Sequence, residues 1–442
     1  MTESHAQQRG VSPLDRAHAL RLRGQFEPAL QLACTIAQAS PSDVAAGYLI
    51  ARLLLDAKRT TVAQASAALL DRFIRRGDLA SACLCAQLIH DAGGKREAAL
   101  LTIAQAFGKG SAKVGDAPPS PPPLPNETDV SPVFAKLSGE GLLTGAETTL
   151  SSFLKNKDSL PPNPVLPHLP LFGELAPPLL AKLLSAFQVR EFETSAFVVK
   201  QGDEGREAFL VARGVLNVVR DEDGQRIVLA VLGAGALFGE MALVSQAPRA
   251  ASVVAVEPTQ LLAVQRGQLE ILARSDGAIA RELGSFCHQR MVANLIRHSR
   301  ILSAVEPAKR HDLVALFTTH TFQPGDLLVK QGEEAGSLFL IASGGVEVRN
   351  TDEDGDRVVL AQPGPGDVVG EISLVLRRPA VADVVAVHTT VALELTREQF
   401  HAAIREYPGL LQQLYDVAIS REEETRSVVA CKALDVSDNV LL

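Results

Sequence analysis

Tryptophan is missing from this chain of 442 residues, and aromatic residues make up only 4% of it. That scarcity argues against a role built on stacked nucleobases or an aromatic cage. The five cysteines (Cys34, Cys83, Cys85, Cys287 and Cys431) are odd in number and contain no C-x-x-C pair. They give neither a disulfide framework nor a zinc site, and reduced, buried thiols are expected. No apolar run reaches bilayer length, and the opening MTESHAQQRG lacks the apolar core of a signal sequence. A cytoplasmic protein with no membrane span is expected. Basic excess is lacking too: the net charge is −8, so nothing draws the whole molecule to nucleic acid or anionic lipid. The ten histidines lack metal-ligand spacing, and no Ser-His-Asp order, P-loop or zinc-hydrolase pattern occurs. Catalysis and a bound metal are therefore not expected.

What is present divides the chain. Its length calls for two to four domains. Residues 14 to 107 are rich in Ala and Leu, with apolar residues three and four apart, which predicts helices. GQFEPALQLACTIAQASP, from Gly24, and RGDLASACLCAQLI, around Gly77, share a turn glycine followed by small and apolar positions. They resemble tetratricopeptide hairpins, so a helical repeat domain is expected over 1–108 as a surface for an unknown protein partner. A Pro-rich linker is expected over 109–165, with at most one short helix after 133.

Beyond 166 the period changes to short β-branched strands broken by Gly and Asp turns, including Asp223-Gly224. The pattern occurs twice. Lys200-Gln201-Gly202 matches Lys330-Gln331-Gly332, and FGEMALVSQAPRAASV (238–253) aligns without a gap with VGEISLVLRRPAVADV (369–384). Two homologous β domains follow, over 166–298 and over 299–442 with a C-terminal helix. The fold class is α+β multidomain: an N-terminal helical repeat domain, then two β-rolls of jelly-roll type with flanking helices.

The first copy of the string has a definite chemistry. Gly239 admits the chain to a short helix whose leading amides suit an anion. Arg249, placed by the Pro248 turn, can direct a forked guanidinium at phosphate oxygens. Glu240 can only accept hydrogen bonds when ionised, so beside a phosphate it requires a hydroxyl donor. One phosphate and one hydroxyl on a compact ligand describe a ribose phosphate, and small residues (Ala242, Ala250, Ala251) leave it room.

The string resembles the phosphate-binding cassette of cyclic-nucleotide-binding domains, above all those of regulatory subunits of cAMP-dependent protein kinase. The resemblance implies a site made by Phe238, Gly239, Glu240, Met241, Ala242, Arg249, Ala250 and Ala251. In it Glu240 holds the ribose 2′-hydroxyl, Arg249 the cyclic phosphate, and amides near Met241, Ala242 and Ala250 assist. Ala250 stands where members preferring cGMP often have Thr or Ser, which implies cAMP over cGMP. Phe286, in the helices after the first roll, would be an apolar cap over the base.

Carried onto the copy, the pattern keeps Gly370, Glu371, Ile372 and Ser373 but has Ala380 in the arginine's place. Arg377 and Arg378 come too early, and Asp383 adds negative charge. A degenerate second site is expected. The function implied is a non-enzymatic receptor that relays cyclic-nucleotide binding to a protein partner, as a single chain or a homo-oligomer. Its rivals are a kinase-inhibiting regulatory subunit and a structural adaptor with vestigial sites. The tail after the second roll is too short for a DNA-reading helix-turn-helix and carries no basic recognition stripe. RRGDL (75–79) has the form of a kinase inhibitor segment, but it falls on the turn in register with Gly24 and is expected to be structural.

Overall fold

The computed structural model describes residues 12–115, 131–156, 165–222, 225–243, 248–334, 336–351 and 357–438. The proline cluster, the Asp223-Gly224 turn and the DEDG run at 352 lie outside these residues. Two compact units emerge. One comprises Met1–Asp203, Glu207–Glu240 and Arg249–Leu283; the other comprises Glu204–Arg206, Met241–Pro248 and Gly284–Leu442. Among the described residues no helix is long and apolar enough to cross a membrane.

The first unit opens with six helices, α1 (Pro13–Leu22), α2 (Phe26–Ala39), α3 (Val44–Asp56), α4 (Val62–Arg75), α5 (Leu79–Asp91) and α6 (Arg96–Phe107). Their starts are written locally: Asp43 caps α3 by accepting from the Ala45 and Ala46 amides, and Asp78 caps α5 by accepting from that of Ser81. Gly77 ends the α4 turn at φ +75°, and an added Cβ would lie 2.5 Å from Pro167. A side chain is excluded there on both counts. The turn holds Arg76, whose guanidinium donates to Ser42 O, so RRGDL is a closed helix hairpin.

Where a linker with at most one short helix was expected, the chain forms α7 (Pro132–Ala135) and the seventeen-residue α8 (Gly139–Lys155). Leu142, Ala146, Leu150 and Phe153 on one face of α8 are buried, and α8 packs on α2, α3 and α4. Gly47 makes room, since a Cβ there would meet the Phe153 ring at 2.7 Å. Arg72 lies 4.9 Å over the same ring and donates to the carbonyls of Phe153, Leu154 and Asn156. A cation thus caps the C-terminal end of α8, where carbonyls lack helical partners and the dipole is negative.

A short parallel pair, β1 (Val114–Gly115) and β2 (Leu166–Pro167), precedes α9 (Pro177–Ser185). The first roll follows: β3 (Gln188–Phe192), β4 (Phe197–Val199), β5 (Glu207–Arg213), β6 (Leu216–Glu222), β7 (Gln225–Leu232), β8 (Leu237–Phe238), β9 (Ser252–Ala255) and β10 (Thr259–Gln265). They form two four-stranded sheets, ordered β3-β10-β5-β8 and β4-β9-β6-β7. Inward residues such as Phe209, Val211, Phe238 and Leu261 make the core between them. Helices α10 (Arg266–Ser275) and α11 (Gly277–His298) come next.

The helical module is fastened to this roll by polar contacts. Arg21 donates to Asp56 of α3 (3.1 Å) and to Glu191 of β3 (2.7 Å). Gln260 of β10 donates to the same Glu191 carboxylate. Arg213 of β5 pairs with Asp15 of α1, and Arg96 donates to Phe187 O at 2.7 Å.

The second unit repeats the roll after α12 (Arg300–Ser303) and α13 (Arg310–Val314). Its strands are β11 (Thr318–Phe322), β12 (Leu327–Val329), β13 (Ser337–Ser343), β14 (Val346–Thr351), β15 (Arg357–Ala361), β16 (Val368–Val369), β17 (Asp383–Ala386) and β18 (Thr390–Thr396). The sheet orders, β11-β18-β13-β16 and β12-β17-β14-β15, copy the first roll strand for strand. Helix α14 (Glu371–Leu376) lies between β16 and β17, and α15 (Arg397–Glu406) and the long α16 (Pro408–Asp438) close the described chain. The α+β architecture of helices followed by two β-rolls is as expected.

Candidate functional site

The first cassette begins where β8 ends. Phe238 is buried and stacks on Phe209 with ring centroids 5.1 Å apart. This anchors the chain just before Gly239, which turns at φ +75°. A Cβ on Gly239 would lie 2.9 Å from Arg249 Nη1 and 3.0 Å from Glu207 O. Only glycine permits both the turn and the close passage of the arginine. Residues Glu240–Leu243 then form one 3-10 turn; the rest of the short helix expected after Gly239 falls on residues 244–247, outside the described chain. Glu240 is only 3% exposed. Met241 and Phe286 count with the second unit. Ala250 is exposed and Ala251 half-buried.

Arg249 arrives on the segment leading to β9 and is fixed by its backbone. Its amide donates to Asp203 O (2.7 Å) and its carbonyl accepts from the Gly202 amide (2.9 Å). Its side chain donates to Glu207 O at 2.7 Å and to Gly239 O at 3.4 Å. Among the described residues no carboxylate stands within ion-pair distance of it. Burial pulls its pKa below the ordinary arginine value, against the pull of Glu207, Glu240 and Asp203. A guanidinium stays charged under such conditions, so the roll holds a partly desolvated cation by neutral carbonyls. Such a cation gains strongly from an anionic partner with paired acceptor oxygens.

The copy repeats the main-chain hydrogen bonds of the Arg249 position with another chemistry. The Ala380 amide donates to Glu333 O (2.9 Å) and its carbonyl accepts from the Gly332 amide (2.8 Å). Ala380 therefore occupies the place of Arg249. Its methyl packs in the roll's apolar core with Val329 and Val384. Gly370 turns at φ +82°, and Ser373 is buried and donates to Arg378 O. Ile372 is half-buried. Arg377 is exposed, in a left-handed conformation (φ 55°), and Arg378 donates to Glu422 at 2.8 Å. Neither early arginine replaces the missing one. Asp383 accepts from the Gln331 amide at 2.7 Å, as Ser252 does from that of Gln201 at 2.9 Å in the first roll. That carboxylate has a structural partner.

Glu371 is 2% exposed and accepts from Arg421 of α16 at 2.9 Å. Burial raises its carboxyl above the ordinary value, and Arg421 offsets part of that rise. Three residues went unnoticed in the sequence: Glu207, Ser252 and Arg421. The first acts through its main chain and left no mark. Ser252 could have been found by aligning it with Asp383. Arg421 is a basic residue opening the acidic run REEETR, and a buried Glu371 gains from such a cation.

The cyclic nucleotide-binding domain family matches the chain twice, over residues 189–276 and 319–407. The cAMP-dependent protein kinase regulatory subunit of Yarrowia lipolytica is 31% identical over 221 residues, 50% of this chain and 54% of that one. The type II regulatory subunit from Drosophila melanogaster is 30% identical over 224 residues, 50% and 56% of the two chains. The chain thus spans about half the length of these curated relatives. A solved co-crystal of the Toxoplasma gondii PKA regulatory domain with cAMP is 25% identical over 57% of this chain and 92% of that one, with a TM-score of 0.27. This chain carries two cyclic nucleotide-binding domains in tandem, similar to those of regulatory subunits of cAMP-dependent protein kinase.

Proposed function

We propose that the first domain is a receptor for a 3′,5′-cyclic nucleotide, cAMP in preference to cGMP, and that the chain regulates a protein partner without catalysing a reaction. The observation that carries this reading is Arg249: a cation held by two main-chain carbonyls, partly desolvated, at the glycine turn that leads into buried Glu240. Arg249 takes the cyclic phosphate, and Glu240 accepts from the 2′-hydroxyl, the ribose hydroxyl that a 3′,5′-cyclic nucleotide leaves free. Phe238 and Gly239 set the turn, Met241 and Ala242 begin the next one, and Ala250 and Ala251 leave space. The cAMP preference rests on Ala250, which has no hydroxyl to meet a guanine amino group. The second domain lacks the phosphate clamp and is a degenerate copy.

A protein kinase as the regulated partner is the reading favoured by the relatives, which are kinase regulatory subunits. The helical module supplies the contact surface, and it moves with the first roll because Arg21, Arg213 and Arg96 tie the two together. Calorimetric titration of the full chain with cAMP and cGMP, beside the Arg249→Glu variant, tests the proposal. One site per chain, tighter for cAMP and lost in the variant, is the expected result. Two equivalent sites would overturn the degenerate copy, and no heat from either nucleotide would overturn the receptor.

A further inference from the structure

We infer that the second cassette is a clamp for the chain's own C-terminal helix. Two adjacent residues of α16 grip α14 at its two ends. Arg421 Nη1 donates to Glu371, the first residue of α14, at 2.9 Å, and also to Val368 O on β16. Glu422 accepts at 2.8 Å from Arg378, two residues past the end of α14. The pairs have opposite polarity, so sliding α16 by one residue sets like charges against each other. That fixes its register as well as its position. Leu410 and Leu414 share the apolar core with Leu374 and Val368, and Ala418 is fully buried. Their four-residue spacing puts them on one face of α16, and the grip continues that face by another turn.

The chemistry follows from what each side offers. Glu371, 2% exposed, is the hydroxyl acceptor of the cassette pattern, and in this domain a guanidinium already holds it. On the strand side, Ala380 gives a methyl to the core in place of a cation. A ribose phosphate would have to share its hydroxyl acceptor with a guanidinium and would find no phosphate partner. The cassette's retained glutamate therefore anchors a helix. This inference stands whether or not the first cassette binds a nucleotide.

Hydrogen exchange of the full chain, followed by mass spectrometry over residues 408–425, tests it. Breaking a buried pair at one partner is costly, and partial exposure of Arg421 reduces that cost. Arg421→Ala is expected to speed exchange of this segment about tenfold, with β13 and β18 keeping their protection. The double variant Glu371→Gln/Arg421→Ala should exchange no faster than Arg421→Ala, because both changes remove one coupling. Unchanged exchange in Arg421→Ala, or additive effects in the double variant, would overturn the clamp. Should Arg421→Ala unfold the roll, Glu422→Ala probes the other grip and must speed the same segment; no change there would be equally fatal. The Arg249→Glu variant, titrated with millimolar cAMP or cGMP, completes the test. Exchange over 408–425 must stay constant, since any response would make the second cassette a ligand site.

Discussion

The two cassettes share the main-chain hydrogen bonds around Arg249 and Ala380 to within a few tenths of an ångström and differ in the side chain displayed there. At Arg249 and at Ala380 the amide meets the same loop carbonyl and the carbonyl the same glycine amide. The ladder that builds the roll uses main-chain groups, so it persists when the side chain changes. The side chain at this position can therefore change from a guanidinium to a methyl without the fold following it. The buried glutamate of each cassette still needs a partner of its own, because a desolvated carboxylate left alone is costly. In the second roll that partner is Arg421.

The comparison can be broken most directly at Arg249. Replacing it with alanine should weaken cyclic-nucleotide binding by about 3 kcal/mol, on the order of a hundredfold, in a calorimetric titration. The fold should survive, since Ala380 already shows the site tolerates a methyl. The reciprocal change, Ala380→Arg, is expected to destabilise the second unit by about 2 to 3 kcal/mol in urea unfolding. It forces a guanidinium among Val329 and Val384 and should create no second binding event. A second event would mean that the missing arginine alone separates the copies. Ser252→Ala removes the acceptor of the Gln201 amide and should cost about 1 kcal/mol of stability, with a several-fold loss of affinity at most.

The smallest effect is a pH slope. Glu371 has its folded carboxyl raised above the ordinary 4.5. A carboxyl raised in this way stabilises the fold fully below its unfolded value and loses that contribution as pH rises through the folded one. Unfolding of the second unit should therefore become easier as pH climbs from about 4, and Glu371→Gln should remove that slope. A wild type and a variant with parallel profiles would show that the glutamate does not titrate in this window.

Much of this was legible in the chain. The strands, their duplication and the cassette registered because the period of two and the turn glycines are local signals, repeated at a constant offset. Gly239 and Gly370 turn as their neighbours require. The helix α8 was not legible. Its sequence GEGLLTGAETTLSSFLK carries Gly, Thr and Ser, weak helix formers, and it forms because Leu142, Leu150 and Phe153 have a groove to fill and Arg72 caps its end. Arg421 escaped for a related reason. Its partner lies fifty residues away, and no local pattern links a lone arginine in an acidic run to a buried glutamate.

Arg21 deserves a last consequence. Because one guanidinium serves both Asp56 of the helical array and Glu191 of the β-roll, the border between them is chemical as well as topological. Cutting the chain in its proline-rich stretch would leave Glu191 and Arg213 facing solvent where each had a counter-charge. A fragment prepared without the first hundred residues would be an altered molecule, and an affinity measured on it would belong to the fragment alone.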